Sequence, residues 1–307
     1  MRPAWSVILL TTLIGAGQGL FVTLYAVDIA ATLGGLAPQP RLFYWAGSAI
    51  ALGLLAAGLT ASFFHLGHPE RAWRSAAKWR TSWLSREVIA LPLVMALIAA
   101  YGFLQYFNAA SAAILWTGAF GVAACAALFV CTGMIYACLK FLQEWASPLT
   151  IVNFTLLGCA SGGTLAAALA AQVAPGVAGP AVIWAALATA AAFFMRGASL
   201  LRNRNLRHKS NLQTAIGVKH PRIGQIAQGA MGGSFNTREF FHGRTREVVS
   251  AVKAGFLLAG FVLPLAFIGA GWLAAAFCIQ FAGLLAERWY FFAEPRHPQN
   301  LYYQAIS

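Results

Sequence analysis

The densest polar constellation in the chain runs from His65 to Glu87, HLGHPERAWRSAAKWRTSWLSRE. Its two ends carry a histidine, which titrates near neutrality, and a carboxylate. Together they suit a carrier that moves two protons with two electrons, as a quinone does, because they can hold the ring oxygens and relay the protons. Between them, Pro69 and Glu70 fit the first turn of a helix, where a missing N–H costs nothing and a negative charge meets the positive dipole end. Arg71, Arg74 and Lys78 then share one stripe of an α-helix, and Trp73, Trp79 and Trp83 supply interfacial aromatic anchors. The plain alternative is a short amphipathic helix in the headgroup layer, with His65 and Glu87 serving as caps and lipid contacts. A further polar group is Gln18, set among Gly15, Gly17 and Gly19. The glycines permit close helix approach, while the amide needs a partner on another helix or on a ligand.

The elements that must position these groups are transmembrane helices. Apolar residues make up 60% of the chain and charged residues 9%, against roughly 25% charged in an ordinary globular domain. A hydrocarbon core about 30 Å thick needs about 20 apolar residues in a helix. Charges and turn residues divide the chain into eight expected spans, at about 4–28, 42–64, 87–107, 113–138, 148–174, 180–201, 248–267 and 271–292. The first is too long for a signal h-region and is read as a span rather than a cleaved leader. The last two form a hairpin broken between Pro264 and Gly271. His65 then sits where the second span leaves the bilayer, and Glu87 where the third enters. An ionisable pair at such a mouth is a functional expectation, because a charge at the bilayer centre costs about 2.5–3.5 kcal/mol even on lenient scales.

With eight spans, twenty of the 21 Lys and Arg residues fall on one side, leaving Arg41 opposite. The positive-inside rule puts that side, with both termini, in the cytoplasm. The net charge of +13 is thereby a topology signal and an attraction to anionic lipid, and nucleic acid need not be invoked. One membrane domain is expected over 1–307, with an interfacial segment at 65–86 and a long cytoplasmic loop at 202–247. That loop contains GAMGGSFNTREFFHGR, whose Phe235, Phe240 and Phe241 among arginines suit a partner-docking surface better than a disordered polybasic tail.

The five cysteines, Cys125, Cys131, Cys138, Cys159 and Cys278, lie in apolar runs without a C-x-x-C pair, so neither an iron–sulfur cluster nor structural zinc is expected here. The six histidines all fall on the cytoplasmic side, and no mid-membrane pair offers itself to a haem; the alternative left is a haem close to the cytoplasmic surface that uses His65. A secondary transporter would show paired broken helices and midplane charge, and a membrane lipid-modifying enzyme would cluster acids or histidines. Neither pattern is developed.

The stretch His65-Leu66-Gly67, Pro69, Arg71-Ala72, followed by Ser82, Leu84-Ser85 and Glu87, resembles the signature of the DmsC family, the membrane-anchor subunits of dimethyl sulfoxide reductase and related molybdenum enzymes. The likeness extends to the Gln18 neighbourhood, the GGSFNTREFFHG loop and the tail ERWYFFAEPRHPQNLYYQ. It implies an all-α anchor in a bacterial inner membrane. A ferredoxin-like iron–sulfur subunit would dock on it, and a catalytic subunit would hold molybdopterin. It also implies electron exchange with a quinone, ubiquinone or menaquinone, through the residues matching His65 and Glu87, with Gln18, Arg71 and Ser85 beside them. Docking would fall to Arg74, Lys78, Arg80, Arg238, Phe240, Phe241, His242 and Arg244. Because the basic side faces inward, the branch that anchors cytoplasmic, quinone-linked sulfite dehydrogenases is favoured over exported reductases that oxidise quinol.

Overall fold

The computed structural model describes residues 1–64, 66–224, 226 and 240–303. Among them every regular element is helical. The long helices are α1 (Trp5–Thr32), α2 (Arg41–Phe63), α3 (Trp83–Tyr106), α4 (Ser111–Ala137), α5 (Pro148–Val173), α6 (Pro175–Arg204), α8 (Arg246–Gly269) and α9 (Leu273–Ala293). Short helices α7 (Leu212–Ile216) and α10 (Pro298–Tyr303) and a 3-10 helix, Pro69–Lys78, lie between or after them. Seven helices, α1 to α6 and α8, are long and apolar enough to cross a membrane, and the chain is a multi-pass membrane protein. Helix α9 has 21 residues, about 31 Å at 1.5 Å per residue, but it carries Gln280, Glu287 and Arg288.

Helix α1 is the hub, packed against α2, α4, α5 and α9. Every residue from Ile14 to Phe21 is buried. The reason lies in its glycines: a Cβ on Gly19 would collide with the carbonyl of Gly158 in α5, and one on Gly162 with the backbone at Gly19 and Leu20. Without water to drive apolar helices together, such close backbone approach is what holds them.

Connections at one end of the bundle are short: 33–40, 107–110, Ala174 and 270–272. The other end carries 66–82, 138–147, 205–224, 240–245 and 294–303, and hence nearly all the charge of the described connections. Two local features depart from the pattern expected of the residues. The segment after Pro69 is 3-10 rather than α, so at three residues per turn Arg71 and Arg74 stay aligned while Lys78 rotates off their stripe. And α8 does not break at Pro264. A π-helical turn, Leu258–Val262, precedes the proline, and its wider winding accommodates a ring with no N–H to give to the preceding turn. The hairpin turns at Gly271, which has φ +80°, at the far end of the Pro264–Gly271 stretch where the break is expected.

Candidate functional site

At the charge-rich end, Ser82 caps α3, its side chain accepting from the Ser85 N–H at 3.3 Å. The helix therefore begins at Trp83, four residues ahead of the boundary expected from the sequence, and Glu87 enters the bundle already helical. Its side chain is 6% exposed. Thr132 of α4 donates its hydroxyl to Glu87 Oε1 at 2.5 Å, and among the described residues no hydrogen bond engages Oε2. Neighbouring Arg86 turns outward. It donates to the carbonyls of Trp79 at 2.9 Å and Arg80 at 2.8 Å, and its guanidinium lies 4.1 Å from the Trp83 ring centroid. The 3-10 segment is thus clamped onto the start of α3 without neutralising Glu87.

Of the other residues singled out, Ser85 is buried in the first turn of α3, two residues before Glu87. Gln18 is also buried, but its amide donates to the carbonyl of Ile14 in its own helix at 3.1 Å, and Gln18 Oε1 has no partner among the described residues. It does not share a partner with Glu87. Arg71 is exposed and pairs with Glu70 at 3.6 Å. His65 and Arg238 lie outside the described residues. Arg74, Lys78 and Arg80 are exposed, the two arginines lying over Trp73 and Trp79. Arg244 is exposed, and Phe241 is half-buried. Phe240 stacks on His297 of the tail, with ring centroids 3.8 Å apart and planes 3° apart, and its carbonyl accepts from Asn300 at 3.0 Å. His242 packs near Trp289. Burial, reinforced by the N-terminal ammonium, holds both His242 and His297 below the usual histidine range.

The largest buried polar group was not anticipated. Arg196 of α6, 1% exposed, lies 2.7 Å from Glu287 of α9, itself 1% exposed, and 3.9 Å from Glu294. Arg288, also buried, contacts Glu287 at 3.5 Å and sits 3.7 Å from the ring centroid of Phe154. Glu144, on the loop after α4, accepts from the backbone N–H of Arg296 at 3.2 Å and faces His208 at 3.7 Å. Arg202 ties that loop down through the carbonyls of Gln143, Glu144 and Ala146. Tyr136, Trp145, Phe154, Phe291 and Phe292 pack as an aromatic box, with Arg288 over Phe154. Glu287 and Glu294 are seven residues apart, two helical turns, so they fall on one face of the chain's last long helix. That spacing was the available signal. Each residue, taken singly, reads as an interfacial charge reaching for water.

Residues 1–219 match the family described as DMSO reductase anchor subunit (DmsC). The chain belongs to this family. It is also 52% identical, over 325 aligned positions spanning all of both chains, to a protein of Allochromatium vinosum that is named as a sulfite dehydrogenase subunit. The anchor family and the multi-pass fold agree, and the match reaches across both Glu87 and the Arg196 end of α6. The full-length likeness extends further, through Glu287 and Glu294.

Proposed function

We propose that the chain is the membrane anchor and quinone-reactive subunit of a heterotrimeric oxidoreductase. In it, a molybdopterin subunit oxidises sulfite and an iron–sulfur subunit passes the electrons inward. This chain then delivers them to a quinone of the bacterial inner membrane. The observation that carries the reading is the full-length likeness to a sulfite dehydrogenase subunit. The family description, with its DMSO reductase, favours a second direction in which the anchor oxidises quinol.

The quinone is a substrate, and the residues present fit one. Reduction needs proton-exchanging groups near the ring oxygens, shielded from bulk water yet close to the docked electron donor. Glu87 is such a group: buried, held in place by Thr132, with Oε2 free of partners among the described residues. Ser85 stands two residues earlier on the same helix, and His65, which lies outside the described residues, is the proposed second proton-exchanging group. Thr132 fixes the carboxyl by one oxygen, so the other is the one able to hold or release a proton. The ring of exposed cations on the 3-10 segment, Arg71, Arg74, Lys78 and Arg80, supplies a positive face for an acidic redox partner, with Arg238, Phe240, Phe241, His242 and Arg244 as the second half of that face.

In this reading α9 is the eighth span, its Glu287–Arg288 end held by protein rather than lipid, and both termini lie in the cytoplasm. Twenty of 21 basic residues on one side support that orientation. The test is purification from native membranes in mild detergent, assaying together for co-purifying polypeptides, molybdenum, iron and quinone. Recovery of a solitary chain free of all four would end the proposal.

A further inference from the structure

One cation stands apart from the others. Arg41 opens α2 at the end of the bundle where the connections are short, and no other Lys or Arg lies in those connections or in the helix turns beside them. The positive-inside rule gives a cation no role there. Arg41 is exposed and forms no ion pair among the described residues. The first turn of α2 also has no side-chain cap, so its leading N–H groups add partial positive charge to the same layer.

Below Arg41 runs a groove of about 270 Å³ between α2 and α3. Its α2 wall is Trp45, Ser48, Ala49 and Leu52. Counted from Arg41 these stand at i+4, i+7, i+8 and i+11, so all five residues share one face of the helix. From Trp45 to Leu52 the wall extends about 10 Å along the helix axis, so the groove runs parallel to the lipid chains of one leaflet, whose hydrocarbon is about 15 Å deep. The groove exists because α2 and α3 meet through small residues. A Cβ on Gly102 of α3 would lie 2.8 Å from the Ser48 Cβ. Ala49 and Ala99, both exposed, leave the lipid side open. Near the aqueous end Trp45 packs edge-on against Tyr106, with ring centroids 5.6 Å apart, and Phe103, 63% exposed, forms one flank. Such aromatics sit at the level of lipid headgroups.

We propose that this groove holds one acyl chain of an anionic phospholipid whose phosphate is bound by Arg41. A hydrocarbon chain matches the apolar walls and their direction. The phosphate supplies the anion that the guanidinium lacks, and a free guanidinium can take it by two parallel N–H bonds. A headgroup with its own ammonium offers a phosphate that is already neutralised, so phosphatidylglycerol is preferred over phosphatidylcholine. Gly102 stands fifteen residues along α3 from Glu87, about 22 Å, so the lipid site is separate from the quinone site and independent of it. Its occupant braces the α2–α3 hairpin, whose opposite end carries the 3-10 segment and Glu87.

The test titrates the full chain, purified in mild detergent, with phosphatidylglycerol or phosphatidylcholine. Bound lipid is counted by native mass spectrometry, and thermal unfolding is followed by tryptophan fluorescence. Phosphatidylglycerol should bind in preference and raise the melting temperature. The cationic opposite end attracts the same lipid, so the count is read as a difference from wild type. Arg41→Gln and Ala99→Phe, which fills the groove from its exposed side, should each hold one phosphatidylglycerol fewer. Arg41→Gln should need about tenfold more lipid to regain it. Ala57→Phe, exposed on α2 outside the groove, should hold the wild-type number. Wild-type counts in both Arg41→Gln and Ala99→Phe would overturn the proposal. So would a loss in Ala99→Phe with none in Arg41→Gln, because the groove would then hold a tail, such as that of a quinone, without a phosphate. Arg41→Gln changes only an exposed side chain and decides the matter alone if Ala99→Phe fails to fold: an unchanged count and affinity refute the site.

Discussion

Arg196→Met offers a sharp test of how α6 is held to α9. Arg196 and Glu287 are each 1% exposed and 2.7 Å apart, and Glu294 stands 3.9 Å from the same guanidinium. At an effective dielectric constant of about 20, the 2.7 Å pair attracts by about 6 kcal/mol. Removing both ions from water costs several kcal/mol each, so the pair as a whole is close to neutral against an apolar pair of the same volume. Deleting the arginine alone is different. It leaves Glu287 with Arg288 at 3.5 Å and Glu294 without a cation in contact among the described residues. The expected loss is about 3–5 kcal/mol. Arg196→Met combined with Glu294→Gln, which removes the carboxylate left without a cation while Glu287 keeps Arg288, should recover most of it. The assay is a double-mutant cycle on thermal unfolding of the detergent-solubilised protein, followed by size-exclusion chromatography with tryptophan fluorescence. A double variant less stable than Arg196→Met would refute the reasoning, because the cost would then lie in lost packing against Phe256 and Tyr290 rather than in an unpaired charge.

Gly19→Leu or Gly162→Leu should abolish folded protein in membranes, since each side chain would meet backbone, whereas Gly53→Ala, with open space around it, should raise stability by about 0.5–1 kcal/mol; expression and melting of the three variants decide this. The contact of residues 240–244 with the tail should loosen in acid. His297 and His242 titrate below the ordinary value of 6.5 when folded, so the detached chain binds protons first. The contact is complete above about pH 6.5 and is lost as pH falls through that value toward the folded one. Hydrogen exchange at 240–244 and 296–300, corrected for intrinsic rates, should be faster at pH 5.5 than at pH 7.5, and equal protection would contradict it. A cysteine placed at Lys219 should react with an impermeant maleimide from the cytoplasmic face of sealed vesicles, and one at Gly34 from the opposite face; the reverse pattern would invert the topology.

The helices were legible because a membrane makes length the dominant variable: charge-free runs such as 88–139 fit two spans and no soluble alternative. Glu87 was legible as an ionisable residue at a span boundary, although capping by Ser82 draws the helix start back and carries it inside. The Arg196, Glu287 and Glu294 cluster was not legible. Its members are about ninety residues apart, and only the tertiary packing of α9 on α5 and α8 brings them to α6. The π turn before Pro264 escaped for a related reason. A proline in an apolar run signals a break, and whether the helix winds wider instead depends on the neighbour it must meet, here Gly283 against Gly260. The packing of Phe240 on His297 of the tail and of His242 near Trp289 of α9, within the expected docking surface, was not legible either, because it joins residues far apart in the chain.

The most direct test of the central claim is sulfite-driven quinone reduction by membranes carrying Glu87→Gln, measured beside dye reduction in the same preparation. The quinone role predicts a loss of about a hundredfold in quinone turnover with dye reduction at the wild-type level. Equal quinone turnover in the variant and the wild type would contradict it.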